Sequence, residues 1–207
     1  MSIEEWFNEL HIPNQRDHYS WLAELPHSHN RIATFGCMSG CEPFALLWIL
    51  DAHEIMVVEV EEEYIGELNE QKYILNKLYP ESLQGRLIES LCRDMRFPVP
   101  DLPDQYFDLA FCEDVLYALD IHGGTIDVNK GIEQMMRVVK PTGLIVAVES
   151  KYRAKFETRT SKTLGIPITV PVQKSEPENM HELFVSKGLK RLEVHGQPPY
   201  SYCYQRK

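Results

Sequence analysis

Short apolar runs alternate along the chain with longer segments in which apolar residues recur at helical spacing. The runs predict strands over residues 32–35, 87–91 and 107–112. Two more strands are predicted, one in the run that begins at Glu54 and one in the run that ends at Glu149. The helical spacing predicts helices over 42–52, 62–79 and 127–139. Because strands and helices alternate, the pattern is typical of a mainly parallel sheet with helices on both faces.

The two ends of the chain carry a weaker pattern. Two short helices are predicted ahead of the first strand, over residues 2–10 and 17–25. After the fifth strand, residues 150–175 are charged, contain two prolines and lack a strong period, so a loop or cap is expected there. A helix over 177–187 should end at Gly188. A final pair of strands is predicted over 189–195 and 201–206.

Size and composition limit the class of protein. With 207 residues, 43% of them hydrophobic, the chain can bury one good core, so one domain is expected. A net charge of −10 disfavours nucleic acid as a partner, because proteins that follow a phosphate backbone usually present basic faces. No apolar run approaches the roughly 18 residues of a membrane span, and Glu4 and Glu5 stand where a signal peptide would be positive. Five cysteines without a C-x-x-C pair indicate reduced thiols in a cytoplasmic protein.

Two glycines interrupt the first junction between strand and helix. The apolar run 32–35 stops at Gly36, Gly40 follows, and Pro43 stands where the first turn of a helix tolerates proline. A strand, a tight loop and a helix in this order present free backbone N–H groups and a helix N-terminus, which suit a nucleotide-like ligand. The second strand then ends in acidic residues, where nucleotide-binding folds hold ribose hydroxyl groups.

This loop resembles the G-x-G-x-G loop of the S-adenosylmethionine-dependent methyltransferases of the Rossmann-like family (class I, type 11-like), with Met38 in place of the middle glycine. The G-x-G-x-x-G loop of dehydrogenases is matched at only one glycine in three. Residues 92–119 resemble the third-strand acid and the fourth strand of the methyltransferase family, and residues 135–149 resemble the turn and the fifth strand that follow. The resemblance therefore covers residues 31–149.

The resemblance implies an α/β fold, a single-domain three-layer αβα arrangement. Its sheet should be mainly parallel and seven-stranded, with an antiparallel C-terminal hairpin strand. One methyltransferase domain would then span residues 1–207. Within it we expect an N-terminal helical cap over 1–30, a cofactor-binding core over 31–149, and a cap loop, helix and hairpin over 150–207.

The resemblance also implies S-adenosylmethionine as cofactor and S-adenosylhomocysteine as its product. Glu61 would accept hydrogen bonds from both ribose hydroxyl groups. Asp94 would receive the adenine amino group, with Met95 packed on the ring. The cofactor-binding residues expected in all are Phe35, Gly36, Cys37, Met38, Gly40, Glu61, Glu62, Asp94, Met95 and Glu113.

Chemistry is expected just past the fourth strand, at Glu113, Asp114 and Tyr117. A carboxylate there can orient a nucleophile or take its proton, although many members of the family rely on positioning alone. The acceptor would be a small molecule or a protein side chain, with no membrane partner, and the chain would be a monomer or a homodimer. No metal is expected, because His27 and His29 lack a recognisable third ligand.

Two other functions stay open at this point. A side chain at Met38 would narrow the slot for the methionyl part of the cofactor, and Thr34 stands where the family often has an acid. The alternative is therefore a non-catalytic relative that keeps the fold as a binding or regulatory protein. A nicotinamide-dependent oxidoreductase is disfavoured by the glycine pattern.

Overall fold

A seven-stranded sheet forms the centre of the fold in the computed structural model, which describes residues 19–26, 29–37, 41–149, 153–160, 167–175, 180–197 and 201–207. The strands of the chain are β1 (Arg31–Phe35), β2 (Glu54–Glu59), β3 (Leu87–Cys92), β4 (Phe107–Glu113), β5 (Val139–Val148), β6 (Arg153–Thr160), β7 (Pro167–Ser175), β8 (Lys190–Leu192) and β9 (Ser201–Gln205). The order across the sheet is β3-β2-β1-β4-β5-β9-β8. Strands β1 to β5 pair in parallel, whereas β9 is antiparallel to both β5 and β8. The predicted fold class is confirmed.

Helices follow β1, β2, β4 and β7 along the chain. They are α1 (Cys41–Ile49), α2 (Glu62–Leu78), α3 (Val115–Val138) and α4 (Met180–Ser186), with two 3-10 helices at Ser20–Glu24 and Pro80–Leu83. The first helix predicted from the sequence lies outside the described residues, and the second is the 3-10 helix that precedes β1. Among the described residues, none of the helices combines the length and the apolarity that crossing a bilayer requires.

The sheet separates two buried clusters of apolar side chains. Alternate residues of β1 enter different clusters, Ile32 on one side and Ala33 on the other, as the two-residue repeat of a strand requires. Helix α1 contributes Phe44 to the first cluster, and α3 contributes Ile132 to the second. Both faces of the central strands are therefore covered, which explains why these strands read as continuous apolar runs.

The helical span before β5 has two parts. The spacing predicted a helix over 127–139 preceded by a flexible connection at Gly123 and Gly124, and α3 is indeed broken at Gly124, whose φ of 62° and ψ of −160° are not helical. The part that runs from Val115 to this break was not predicted. Apolar residues on both sides of the break, such as Leu116 and Val128, are buried in the same cluster.

The segment after β5 also differs from its prediction. Residues 150–175 were expected to form a loop or cap, but β6 and β7 within them form an antiparallel two-stranded sheet. The backbone groups of the two strands pair with each other, and a register shift between Lys155 and Phe156 interrupts the ladder. Pro167 and Pro171 and the lack of a strong period hide these strands in the sequence, because proline is unusual within a strand.

Candidate functional site

A cavity of about 1110 Å³ opens at the carboxyl ends of β1 to β4. Ligands of open parallel sheets bind at this edge, where the strand order reverses. In this chain β1 lies between β2 and β4, so the reversal falls beside β1. The cavity is lined by Gly36, Val58, Glu59, Val60, Glu61, Tyr64, Arg93, Asp94, Met95, Arg96, Glu113, Asp114, Val115, Tyr117, Ala118 and Leu119.

Most of the site residues predicted from the sequence lie together in this lining. They are Gly36, Glu61, Asp94, Met95, Glu113, Asp114 and Tyr117. Phe35 is fully buried in β1, Cys37 is buried directly after Gly36, and Glu62 is exposed at the start of α2. Met38 and Gly40 lie outside the described residues.

Gly36 makes the turn that brings the chain out of β1. Its φ is +79°, a left-handed conformation that glycine adopts without strain, and its N–H donates to the carbonyl of Val58 at 2.8 Å. A Cβ at this position would lie 2.5 Å from Cγ2 of Val115. Position 36 and the Val115 side chain therefore lie so close together that a larger residue at this position would force one of them to shift.

Glu59, the last residue of β2, ties this loop to the neighbouring strand. Its side chain is 6% exposed. One carboxylate oxygen accepts the N–H of Cys37 at 2.8 Å, and the other accepts the N–H groups of Val60 at 2.7 Å and Glu61 at 3.1 Å. The sequence showed Glu59 only as a deeply placed acid of the strand, because the N–H group of Cys37 follows a different strand and only folding brings it to Glu59.

Asp94 is held by an arginine two residues later, a partner that the sequence analysis did not identify. Nε of Arg96 lies 3.0 Å from Oδ1 of Asp94 and 2.9 Å from Oδ2. The backbone N–H of Arg96 also donates to Oδ1, at 2.9 Å. Arg96 also reaches Asp127 of α3 at 3.3 Å. The side-chain hydrogen bond from Arg96 lowers the pKa of Asp94, so this carboxylate is ionised at neutral pH.

The rim at the end of β4 is supported from two other parts of the chain. Asp114 has φ +54°, and α3 begins directly after it. The hydroxyl of Tyr19, which precedes β1, donates to the carboxylate of Glu113. Past the end of β5, Glu149 accepts the N–H of Tyr117 at 3.0 Å. The three residues expected to carry chemistry thus lie on one supported turn.

Two buried thiols near the cavity, those of Cys37 and Cys112, are poorly suited to act as nucleophiles. Burial, together with the charge of Glu59, raises the pKa of the Cys37 thiol well above its usual range. Burial likewise raises the pKa of the Cys112 thiol. Both remain protonated near pH 7, and only a thiolate attacks. Among the described residues, no group of three or more His, Cys, Asp or Glu side chains is arranged to hold a metal ion.

A family model described as a methyltransferase domain matches residues 34–147, more than half of the chain and the whole of the cavity edge. The chain belongs to the S-adenosylmethionine-dependent methyltransferase family. It is an enzyme of that family, and its cofactor is S-adenosylmethionine. No curated protein matches the sequence.

Solved methyltransferase structures share the fold of this methyltransferase. N-methyltransferase NodS from Bradyrhizobium japonicum, in complex with S-adenosyl-L-homocysteine, is 15% identical with a TM-score of 0.58, covering 97% of this chain and 90% of that chain. CalS10, an amino pentose methyltransferase from Micromonospora echinaspora, is 14% identical with a TM-score of 0.60, covering 100% and 98%. A methyltransferase from Clostridium acetobutylicum is 12% identical with a TM-score of 0.61, covering 98% and 96%. At these identities the likeness establishes the fold.

The cavity of this methyltransferase fits S-adenosylmethionine in both volume and polarity. Its volume lies just above the roughly 300–1,000 Å³ typical of ligand pockets. Gly36 leaves its wall without a side chain, and carboxylates stand at the ends of β2, β3 and β4. These groups can accept hydrogen bonds from hydroxyl and amino groups of an adenosyl ligand.

The Asp94–Arg96 contact predicts a pH-dependent contribution to the stability of the methyltransferase. Because the pKa of Asp94 is lowered in the folded chain, the contribution is complete above the ordinary aspartate pKa near 4 and is lost as pH falls through the lowered value. Asp94→Asn should therefore reduce the free energy of unfolding by about 1–3 kcal/mol at pH 7. Urea unfolding at pH 7, 5 and 3 should show the gap between the two proteins narrowing only below about pH 4.

Asp101→Asn is the matched control for this prediction. Asp101 pairs with Arg93 at 3.0 Å, but both side chains are about half exposed, and such pairs contribute roughly 0–1 kcal/mol. A gap for Asp94→Asn that stays constant from pH 7 to pH 3, or that is no larger than the gap for Asp101→Asn, would contradict the assignment.

Proposed function

We propose that this methyltransferase moves the methyl group of S-adenosylmethionine to a nucleophilic atom of a small molecule or of a protein side chain. The observation that carries the proposal is the continuous cavity at the ends of β1 to β4, which gathers Gly36, three acidic strand ends and the supported turn after β4.

The order of the strands supports one direction for the cofactor. The adenine would lie at the end of β3, with Asp94 accepting from its amino group and Met95 against the ring. The ribose would lie at the end of β2. There Glu61 is the predicted acceptor, and Glu59 has one further lone pair beyond its three backbone contacts. The methionyl part would then lie over β1 and β4, past Gly36.

The residues after β4 would place the acceptor. Bound S-adenosylmethionine supplies an electrophilic methyl group on a positively charged sulfur, so a nucleophile held in line needs little further activation. Glu113 or Asp114 would orient the nucleophile and receive its proton, and the phenol of Tyr117 would line the acceptor's approach. The hydrogen bond from Tyr19 to Glu113 links the segment before β1 to this turn.

Isothermal titration calorimetry tests the cofactor site directly. S-adenosylmethionine and S-adenosylhomocysteine should each bind the folded protein at one site with a dissociation constant below about 1 mM, and NAD should not bind. A thermal-shift assay in which NAD, but neither of the two adenosyl ligands, stabilises the protein would contradict the proposal and favour an oxidoreductase. A folded protein that binds none of the three would favour a non-catalytic relative.

A further inference from the structure

A carboxyl group is buried beside the end of β1. It belongs to Glu42, the second residue of α1, whose side chain is 7% exposed. The hydroxyl of Thr34 donates to it, and Thr34 is itself fully buried near the end of β1. The first turn of α1 thus carries an acid to the same strand end at which Gly36 enters the cavity wall.

Among the described residues, the charged groups that act on Glu42 are other carboxylates. Burial raises the pKa of Glu42 well above its usual range, and the charges of Glu113 and Glu59 raise it further, while the Thr34 hydroxyl opposes them. Within the described ranges, no lysine, arginine or histidine forms an ion pair with Glu42. A buried carboxyl group with acidic neighbours gains greatly from a cation that arrives close by.

Glu59 and Glu113, the two acids that interact with Glu42, both line the cavity. They stand at the ends of β2 and β4, on either side of β1 in the sheet. Glu42 therefore belongs to the part of the site centred on β1, whereas Asp94 stands two strands away at the end of β3. If the adenosyl group lies at the ends of β3 and β2, the ligand atoms nearest Glu42 are those of the methionyl tail, which carries an ammonium group.

We propose that Glu42 is the carboxylate that recognises the ammonium group of the cofactor's methionyl tail, held in place by the Thr34 hydroxyl. This inference rests on the proposed function, since it takes the direction of the cofactor from it. Thr34 itself carries no charge, and Glu42 of the neighbouring helix α1 supplies the negative charge. A purely structural role for Glu42, as an acid that favours the N-terminus of α1, makes a different prediction for ligands that lack the ammonium group.

Two ligands separate these roles. S-adenosylhomocysteine carries the amino-acid tail, whereas 5′-methylthioadenosine has the same adenosine and sulfur but no tail. Calorimetric titration of both into the wild type and Glu42→Gln should show S-adenosylhomocysteine binding at least about tenfold more weakly to the variant, because a charge-assisted contact is lost. The affinity for 5′-methylthioadenosine should change less than about twofold.

Glu149→Gln is the matched control, because Glu149 is an equally buried acid near the cavity that contacts the N-terminus of α3. It should not change the ratio of the two affinities. Equal losses for both ligands in Glu42→Gln, no loss for either, or the same selective loss in Glu149→Gln would overturn the inference while leaving the proposed function intact. A wild type that binds neither ligand would overturn both.

A second variant is available if Glu42→Gln does not fold. Thr34→Val removes the hydroxyl that holds the Glu42 carboxylate and keeps the shape of the buried side chain. It should weaken the binding of S-adenosylhomocysteine about threefold or more and leave the affinity for 5′-methylthioadenosine unchanged. An unchanged affinity for S-adenosylhomocysteine in this variant would overturn the inference.

Discussion

Replacing Gly36 by alanine is expected to destabilise the fold by about 2–4 kcal/mol and to weaken S-adenosylhomocysteine binding at least about tenfold. Two costs add at this position. The φ of +79° is unfavourable for any residue with a Cβ, and the new methyl group would meet Val115 at 2.5 Å. Either the loop or the first turn of α3 must move, and both line the cavity. Urea unfolding and calorimetric titration measure the two effects.

Gly85→Ala separates these costs. Gly85 has a similar φ of +74°, but no atom lies within 4 Å of the position its Cβ would take. This variant should lose only the stability of about 1–2 kcal/mol that a left-handed backbone costs a residue with a Cβ. It should bind S-adenosylhomocysteine as the wild type does. The double variant Gly36→Ala/Val115→Ala should recover part of the stability, because the contact is relieved. Equal effects of the two single variants on stability and binding would show that the close approach of Val115 does not matter.

Replacing Glu59 by glutamine should cost about 2–4 kcal/mol of stability, the second of the two largest effects. A carboxylate can accept from all three backbone N–H groups around it. An amide presents one oxygen and one NH₂ group, so at least one buried donor would face another donor. The loop at Cys37 should then separate from the end of β2. Urea unfolding measures the loss, and hydrogen exchange at the Cys37 amide locates it.

Glu61→Gln is the control, because Glu61 is exposed at the start of α2. Its stability should stay within about 0.5 kcal/mol of the wild type. The same variant tests which acid holds the ribose. If Glu61 does so, 5′-methylthioadenosine should bind Glu61→Gln several-fold more weakly, although the fold is unaffected. A stability loss for Glu59→Gln no larger than that for Glu61→Gln would contradict the role given to Glu59.

The two glutamates show how far sequence reasoning reaches into the site. An acid at the end of the second strand is visible in the sequence, and so is the strand end at which it should act. Which of Glu59 and Glu61 turns toward backbone and which toward the cavity depends on the position of the β1 loop. That loop belongs to a different strand, so its N–H groups are not part of any local pattern.

The sequence by itself determined the alternation of strands and helices, the glycine turn at Gly36, and the acids and the turn that line the cavity. Each depends on residues close together in the chain, where helical or strand spacing and the conformational freedom of glycine act directly. The tertiary structure alone decided the contacts between different segments. They are the close approach of Val115 to Gly36, the hydrogen bonds of Glu59 to backbone after β1 and β2, and the hydrogen bond of Thr34 to Glu42. The part of α3 that precedes Gly124 and the β6–β7 pair belong with these. Burial and pairing between segments outweigh local propensity there, and only the folded chain brings those segments into contact.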